Sequence, residues 1–197
     1  MELVLQESLE HQQKAVDAVC DVFKDVQPFK PIQYYENPHL DINSDYIIRN
    51  IEDVQKELKV QPEFRNVNIP GTDGTMLSLD IKMETGTGKT YVYAKTMYEL
   101  HHRYGLNKFI IVVPSLAIKA GTASFLADPY VQKHFKDSCH YGADLCVGIV
   151  EANKNTKKGR TFFPHVVDDF IRGSCQDKNK IYVLILNMQL LMGNAKL

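Results

Sequence analysis

Apolar residues recur at the spacing of amphipathic helices in three segments of the chain. In the first, residues 9–26, Val16, Cys20 and Phe23 lie three or four positions apart, with charged residues between them. Pro28 ends this helix, because proline cannot continue the hydrogen-bond ladder. The same period predicts helices over residues 47–59 and 90–104. Residues 116–126 and 166–172 are two further helix candidates.

Four segments carry the patterns of β-strands. Residues 76–81 alternate between apolar and polar, as expected for a strand with one buried face. Residues 108–113 (KFIIVV) and 180–188 (KIYVLILNM) each contain an uninterrupted apolar stretch, which is typical of strands buried on both faces of a parallel sheet. Residues 144–151 form a further predicted strand. Because strands alternate with helices, the predicted fold is α/β, a parallel sheet flanked by helices.

Composition limits the classes of protein to consider. The 197 residues are 44% hydrophobic with a net charge of −1, so any nucleic-acid surface must be a local cluster of charge. The four cysteines form no CxxC pair, which argues against a zinc site or a disulfide framework. The sequence shows neither a signal peptide nor a long apolar run, and we therefore expect a cytoplasmic protein without membrane contact.

The most specific motif is residues 83–90, METGTGKT, which we call the glycine loop. It fits the second half of the phosphate-binding P-loop pattern, with Met83 in place of the first glycine. Gly86 and Gly88 let backbone N–H groups approach phosphates closely, and the helix that follows points its N-terminus at them. Lys89 is predicted to contact the β- and γ-phosphates, and the Thr90 hydroxyl to ligate Mg²⁺.

The glycine loop therefore predicts a nucleotide site, with ATP and Mg²⁺ as its ligands. Lys89 and Thr90 are the predicted catalytic residues. The predicted cofactor-binding residues of the loop are Thr85, Gly86, Thr87, Gly88, Lys89 and Thr90.

Two segments, the glycine loop and one near the N-terminus, resemble motifs of one family. METGTGKT resembles the first motif of superfamily-two helicases and translocases, and in particular that of the Res subunits of type III restriction enzymes. Residues 9–16 (LEHQQKAV) resemble the upstream glutamine motif, with Gln12 at the glutamine and His11 where tyrosine is commoner. The resemblance implies that Gln12 binds adenine, and an amide can both accept from N6–H and donate to N7. The alternative for Gln12 alone is a solvated helix residue.

Two strand ends resemble the motifs with which this family contacts nucleic acid. Residues 112–121 (VVPSLAIKAG) resemble the motif that touches the phosphates of the tracked strand, and residues 185–189 (ILNMQ) the next one. Plain strand termini are the alternative for both. The resemblance implies nucleic-acid contacts by Pro114, Ser115, Lys119, Asn187 and Gln189.

The resemblance also implies a domain organisation. Gln12 and Lys89 are widely separated, and type III enzymes carry an insertion between these motifs. We expect the glutamine-motif helix and the insertion in residues 1–75, packed on a partial RecA-like ATP-binding lobe in residues 76–197. In the insertion, Tyr34 and Tyr35 offer aromatic contacts for DNA or a partner subunit, with a surface elaboration as the alternative.

Hydrolysis in this family needs a DExx motif, and the chain contains none. Asp168 and Asp169 come nearest but lie in a helix pattern, and no nuclease motif is present. We therefore expect a truncated chain that does not hydrolyse ATP alone. The leading hypothesis is the ATP-binding N-terminal part of a Res subunit, which in full length translocates along and cleaves double-stranded DNA beside a modification methyltransferase subunit. The alternatives are another superfamily-two helicase or translocase without nuclease, and a regulatory nucleotide-binding P-loop domain.

Overall fold

The computed structural model describes residues 5–6, 9–61, 77–151 and 164–191, which form two compact units. The helical unit comprises the described residues within 8–31 and 38–104. The sheet unit comprises those within 1–7, 32–37 and 105–197. Within the described ranges, no helix has the length and apolar character needed to cross a membrane.

The helical unit contains three helices and a short antiparallel ladder. The predicted helices are confirmed, with ends shifted by a few residues. The elements are α1 (Glu10–Asp21), β1 (Pro28–Phe29), β2 (His39–Leu40), α2 (Asp45–Glu57) and α3 (Lys89–Tyr104).

The core of the helical unit lies between α1 and α3. Val16 and Cys20 of α1 are fully buried and pack with Val92 of α3, and the cluster extends to Met83 and Leu100. Full burial of one such aliphatic side chain stabilises the fold by about 1.5–3 kcal/mol. The three- and four-residue period seen in the sequence thus becomes the seam between these two helices.

Helix α2 is fixed to the turn that follows α1. Ile47 and Ile51, one helical turn apart, are buried. The Asn50 side-chain amide donates to the carbonyl oxygens of Val22 (3.0 Å) and Lys24 (2.7 Å). These two carbonyls lie beyond the last residue of α1, so the Asn50 amide supplies the donors that the helix no longer provides.

The strand predicted over residues 76–81 is wrong for its described part. Residues 77–81 form no strand, although Leu77 and Leu79 are half-buried while Ser78 and Asp80 are exposed. Alternation requires only that one side of an extended chain be covered. A strand also requires a hydrogen-bonded neighbour, and none of the described segments pairs with these residues.

The sheet unit is built on three parallel strands in the order β3-β5-β4. The predicted α/β class, a parallel sheet flanked by helices, is confirmed. The strands are β3 (Lys108–Val113), β4 (Asp144–Ile149) and β5 (Lys180–Asn187). The helices are α4 (Leu116–Ala127), α5 (Pro129–Lys133), a π-helical turn (His134–Ser138), α6 (His165–Arg172) and α7 (Met188–Leu191).

The continuous apolar run of β5 is explained by its central position. Ile181 and Ile185 on one face are fully buried, and Leu184 and Leu186 on the other are nearly so. Val166, Val167 and Phe170 of α6 pack against the cluster that contains these two leucines. The prediction of a strand buried on both faces is therefore confirmed for β5.

The same prediction is wrong for β3. Ile110 is 59% exposed and Val112 40%, and both point to the same face because strand side chains alternate. β3 lies at one end of the sheet formed by the described residues, where a strand has a neighbour on one side only. A continuous apolar run does not reveal which strand is central.

An asparagine of the predicted insertion holds the start of β3. The Asn37 side-chain oxygen accepts from the backbone N–H groups of Asn107 (2.8 Å) and Lys108 (2.9 Å), and its amide donates to the Lys108 carbonyl (2.9 Å). Residues 32–37 thus belong to the sheet unit. They are part of its framework and not only a surface elaboration.

The two compact units divide the chain differently from the expected ranges 1–75 and 76–197. Helix α3 groups with α1 because the two helices pack on each other. The expected boundary falls within residues 62–76, outside the described residues, and it stays a prediction.

Candidate nucleotide-binding site

The glycine loop has the backbone conformation that its two glycines predicted. Gly86 and Gly88 both have φ near +82°, a region that side chains with a Cβ disfavour. The Thr87 hydroxyl donates to the Glu84 carbonyl at 2.7 Å, and the Lys89 ammonium donates to the same carbonyl at 2.5 Å. One carbonyl thus orders the loop and holds the lysine predicted to contact phosphates.

Helix α3 begins directly at the end of the glycine loop. In the first turn, the Val92 N–H donates to the Gly88 carbonyl at 3.1 Å. The preceding turn is the helix N-terminus, where backbone donors and the positive end of the helix dipole favour an anion. Lys89 is exposed and Thr90 half-buried on this first turn. Their chemistry suits a phosphate with its metal ion.

The structure brings the glutamine-motif residues onto the glycine loop. The Gln12 side-chain amide donates to the Thr87 carbonyl at 3.1 Å, across 75 positions of sequence. His11 Nε2 lies 3.2 Å from the same oxygen. Gln12 is 7% exposed, so the solvated helix residue considered above is excluded. The prediction that Gln12 and the glycine loop form one site agrees with this geometry, while adenine binding itself stays a prediction.

Gly88 and Gln12 are in close contact. A Cβ placed on Gly88 would lie 2.4 Å from Gln12 Nε2, whereas one placed on Gly86 would meet nothing within 4 Å. The two glycines therefore differ in what they make possible. Both serve the loop conformation, and Gly88 also provides the space that the Gln12 amide occupies.

Burial raises the pKa of one group on α1 and one on α3. Burial raises the pKa of the Cys20 thiol to about 12, and it raises the pKa of the Tyr104 hydroxyl to about 12 as well. The Tyr104 hydroxyl donates to the Cys20 carbonyl at 2.9 Å. Both groups are neutral at physiological pH and serve the contact between α1 and α3.

The strand-end residues of the sheet unit meet at one edge. Val113 and Asn187 are register partners, so the carboxyl ends of β3 and β5 lie side by side. The Asn187 amide donates to Gln189 Oε1 at 3.2 Å. Pro114 and Gln189 are exposed there. This is the edge at which open α/β sheets bind ligands, and the nucleic-acid contacts of these residues stay predictions.

Two members of the predicted nucleic-acid set have internal partners. The Ser115 hydroxyl accepts from the Ile118 N–H at 3.3 Å and caps α4. Lys119 is 6% exposed, and its ammonium donates to the Val150 carbonyl. The Lys119 ammonium therefore has an acceptor within the protein. Its role in DNA contact stays a prediction.

Asp168 and Asp169 lie on α6, as their helix pattern predicted, and pair with Arg172 (2.8 Å) and His165 (3.4 Å). The sequence also has basic residues clustered at 154–160, which could contact phosphates or form a solvated loop, and this segment lies outside the described residues.

Sequence analysis missed the acceptors that the backbone supplies. The Glu84 and Thr87 carbonyls organise the loop, and no side-chain pattern reports a carbonyl. His11 stands in the sequence where tyrosine is commoner in this family. Its position next to Gln12 was the signal that it shares the same neighbour.

Parallel strands flanked by helices, with a glycine loop leading into a long helix, define an α/β protein of the RecA-like class. The profile of the family "Type III restriction enzyme, res subunit" matches residues 5–196. The chain therefore belongs to this family.

Individual relatives agree with the family assignment. The chain is 37% identical over 188 residues to the type III restriction-modification enzyme EcoP15I Res subunit of Escherichia coli, covering 93% of this chain and 19% of that protein. It is 36% identical over 187 residues to the EcoPI Res subunit of Escherichia phage P1, covering 92% and 19%. For the StyLTI Res subunit of Salmonella typhimurium the identity is 44% over 115 residues, covering 58% and 12%. The chain thus spans about a fifth of the length of the first two relatives.

Proposed function

We propose that this chain is the ATP-binding part of the DNA-translocating Res subunit of a type III restriction-modification enzyme. ATP with Mg²⁺ binds at the glycine loop, where Lys89 contacts the β- and γ-phosphates and Thr90 ligates the metal. Gln12 binds the adenine. In the full-length protein, located in the cytoplasm, ATP drives translocation along double-stranded DNA and its cleavage, beside a modification methyltransferase subunit.

One observation carries the proposal. The Gln12 amide and the His11 ring both contact the carbonyl of Thr87, in a loop whose glycines have φ near +82°. A glutamine that binds adenine must lie beside the loop that binds phosphates, since both groups belong to one nucleotide. A solvated helix residue has no reason to be buried against that loop.

The donor set also fits a triphosphate. Thr85, Gly86 and Lys89 are exposed, so the outer surface of the loop is accessible. Lys89 already makes a charge-assisted contact with the Glu84 carbonyl. A phosphate oxygen carries more negative charge than a carbonyl oxygen, so it would replace the Glu84 carbonyl as the acceptor of the Lys89 ammonium. ATP supplies the phosphoanhydride whose hydrolysis drives the motor, and these residues bind and orient it.

Calorimetric titration of the chain with ATP and Mg²⁺ tests the nucleotide site. We expect Lys89→Ala to weaken binding by about 10- to 100-fold, the effect of losing a hydrogen bond to a charged group. Lys82→Ala is the matched control, because Lys82 is an exposed lysine that precedes the loop. Equal affinity of wild type and Lys89→Ala would contradict the proposed site.

The proposal for the whole protein needs the full-length subunit. We expect ATP hydrolysis stimulated by double-stranded DNA, and DNA cleavage when the methyltransferase subunit is added. Hydrolysis with translocation but no cleavage would favour a helicase or translocase without nuclease. Tight ATP binding with no hydrolysis under any condition would favour a regulatory nucleotide domain.

A further inference from the structure

A polar stripe runs along the contact between α1 and α3. Its α1 members, Gln13, Asp17 and Asp21, are spaced by four and so lie on one face of that helix. Its α3 members have the same spacing: Lys95, Glu99 and Arg103. Two matched faces, each three residues long, therefore meet along two successive turns.

Hydrogen bonds connect this stripe from end to end. The Lys95 ammonium donates to Gln13 Oε1 at 2.7 Å, and the Gln13 amide donates to Asp17 Oδ2 at 3.0 Å. Arg103 donates to Asp17 (3.0 Å), Asp21 (3.1 Å) and Glu99 (2.9 Å). Lys95 pairs with Gln13 and Arg103 with Asp21, so the partners follow the same order along both helices. One arginine thus joins three carboxylates, and one buried lysine anchors the other end.

The stripe lies beside the apolar seam that carries Gln12. Gln12, Val16 and Cys20 are also spaced by four, one position before Gln13, Asp17 and Asp21, and all three are buried. Apolar contacts depend on area and not on direction, so they resist separation of the helices more than sliding. Hydrogen bonds are directional. The polar stripe therefore distinguishes one register of α1 on α3 from the others.

The register decides where the Gln12 amide lies. Gln12 reaches the Thr87 carbonyl at 3.1 Å, close to the upper limit of a good hydrogen bond. A slip of α1 by one helical turn would move Gln12 by about 5.4 Å and break this contact. Thr87 immediately precedes Gly88, whose carbonyl accepts a hydrogen bond from the first turn of α3. The loop is therefore fixed to α3, and a movement of α1 along α3 also moves Gln12 relative to the loop.

We propose that Lys95, acting through Gln13 and the polar stripe, is a positioning residue that sets the register of α1 and thereby the selectivity of the site for adenine. This inference rests on the proposed function, in which ATP binds at the glycine loop and Gln12 binds the base. Lys95 does not contact the nucleotide. Its effect reaches the base through the placement of Gln12.

The test compares ATP with UTP, because only the base differs. Lys95→Met keeps the length of the side chain and removes its ammonium. We expect ATP affinity to fall about three- to tenfold, the loss of one oriented hydrogen bond, while UTP affinity is unchanged. Lys14→Met is the matched control, since Lys14 is an exposed lysine of α1 whose ammonium lies 2.7 Å from Glu10.

A double variant separates positioning from general weakening. Added to Gln12→Ala, Lys95→Met should cause no further loss of ATP affinity, because the contact that Lys95 positions is already absent. Equal losses for ATP and UTP, or full additivity with Gln12→Ala, would overturn the inference while leaving the proposed site intact. If Lys95→Met does not fold, Gln13→Ala cuts the same bond from a half-buried position.

A measurement without nucleotide keeps the two proposals distinguishable. The side-chain amide resonance of Gln12 in ¹⁵N NMR spectra reports its contact with Thr87. We expect it to shift in Lys95→Met and to stay in place in Lys14→Met. An unchanged resonance in Lys95→Met would overturn the inference, whether or not the chain binds ATP. Failure of the wild-type chain to bind ATP would count against the proposed function instead.

Discussion

Alanine at Gly88 should cost more stability than alanine at Gly86, although both residues have φ near +82°. The left-handed conformation costs an L-residue about 1–2 kcal/mol, and this part is common to both variants. The difference arises from the new Cβ. At Gly86 it would meet nothing within 4 Å, and at Gly88 it would lie 2.4 Å from Gln12 Nε2.

The size of the difference follows from what must move. Gln12 Nε2 is the end of a flexible side chain, so the clash is relieved by rotation and not by distortion of the backbone. Rotation removes the 3.1 Å hydrogen bond to the Thr87 carbonyl, worth about 1 kcal/mol. We therefore expect losses of about 1–2 kcal/mol for Gly86→Ala and about 2–3 kcal/mol for Gly88→Ala.

Equilibrium urea unfolding of the two variants measures this difference. Repeating both in a Gln12→Ala background provides the control, because without the glutamine amide the two substitutions should cost the same. The reasoning fails if Gly86→Ala and Gly88→Ala are equally destabilising, or if their difference persists after Gln12 has been removed.

Two further predictions concern the framework of each unit. Because burial raises the pKa of Cys20 and of Tyr104 to about 12, the folded state keeps protons that the unfolded chain releases. The free energy of unfolding should therefore be highest below about pH 8.5 and fall as pH rises toward about 12, with a shallower decline in Cys20→Ala. Urea unfolding between about pH 8 and 11 measures this, and a free energy that does not change with pH would refute it. Asn107, 2% exposed, donates to the Asp177 and Lys180 carbonyls at 3.0 and 2.8 Å. Asn107→Ala should cost about 1–3 kcal/mol in urea unfolding, and a loss no larger than that of the exposed control Asn179→Ala would contradict this role.

Local patterns predicted most of the helices, since helix formation is governed by periods that a short stretch of sequence contains. The segment of residues 90–104 is α3 within one residue. The strand at residues 77–81 failed because pairing needs a partner from elsewhere in the chain.

The sequence by itself determined the α/β class, the glycine loop and the family resemblance, because these rest on residue type and short spacing. Only the tertiary structure decided the environment of individual side chains. It buried Lys119 against the Val150 carbonyl, exposed Ile110 at the end of the sheet, and aligned Lys95 with Gln13 across 82 positions. Each of these depends on which distant segment arrives at a given face, and packing of the whole unit selects that segment.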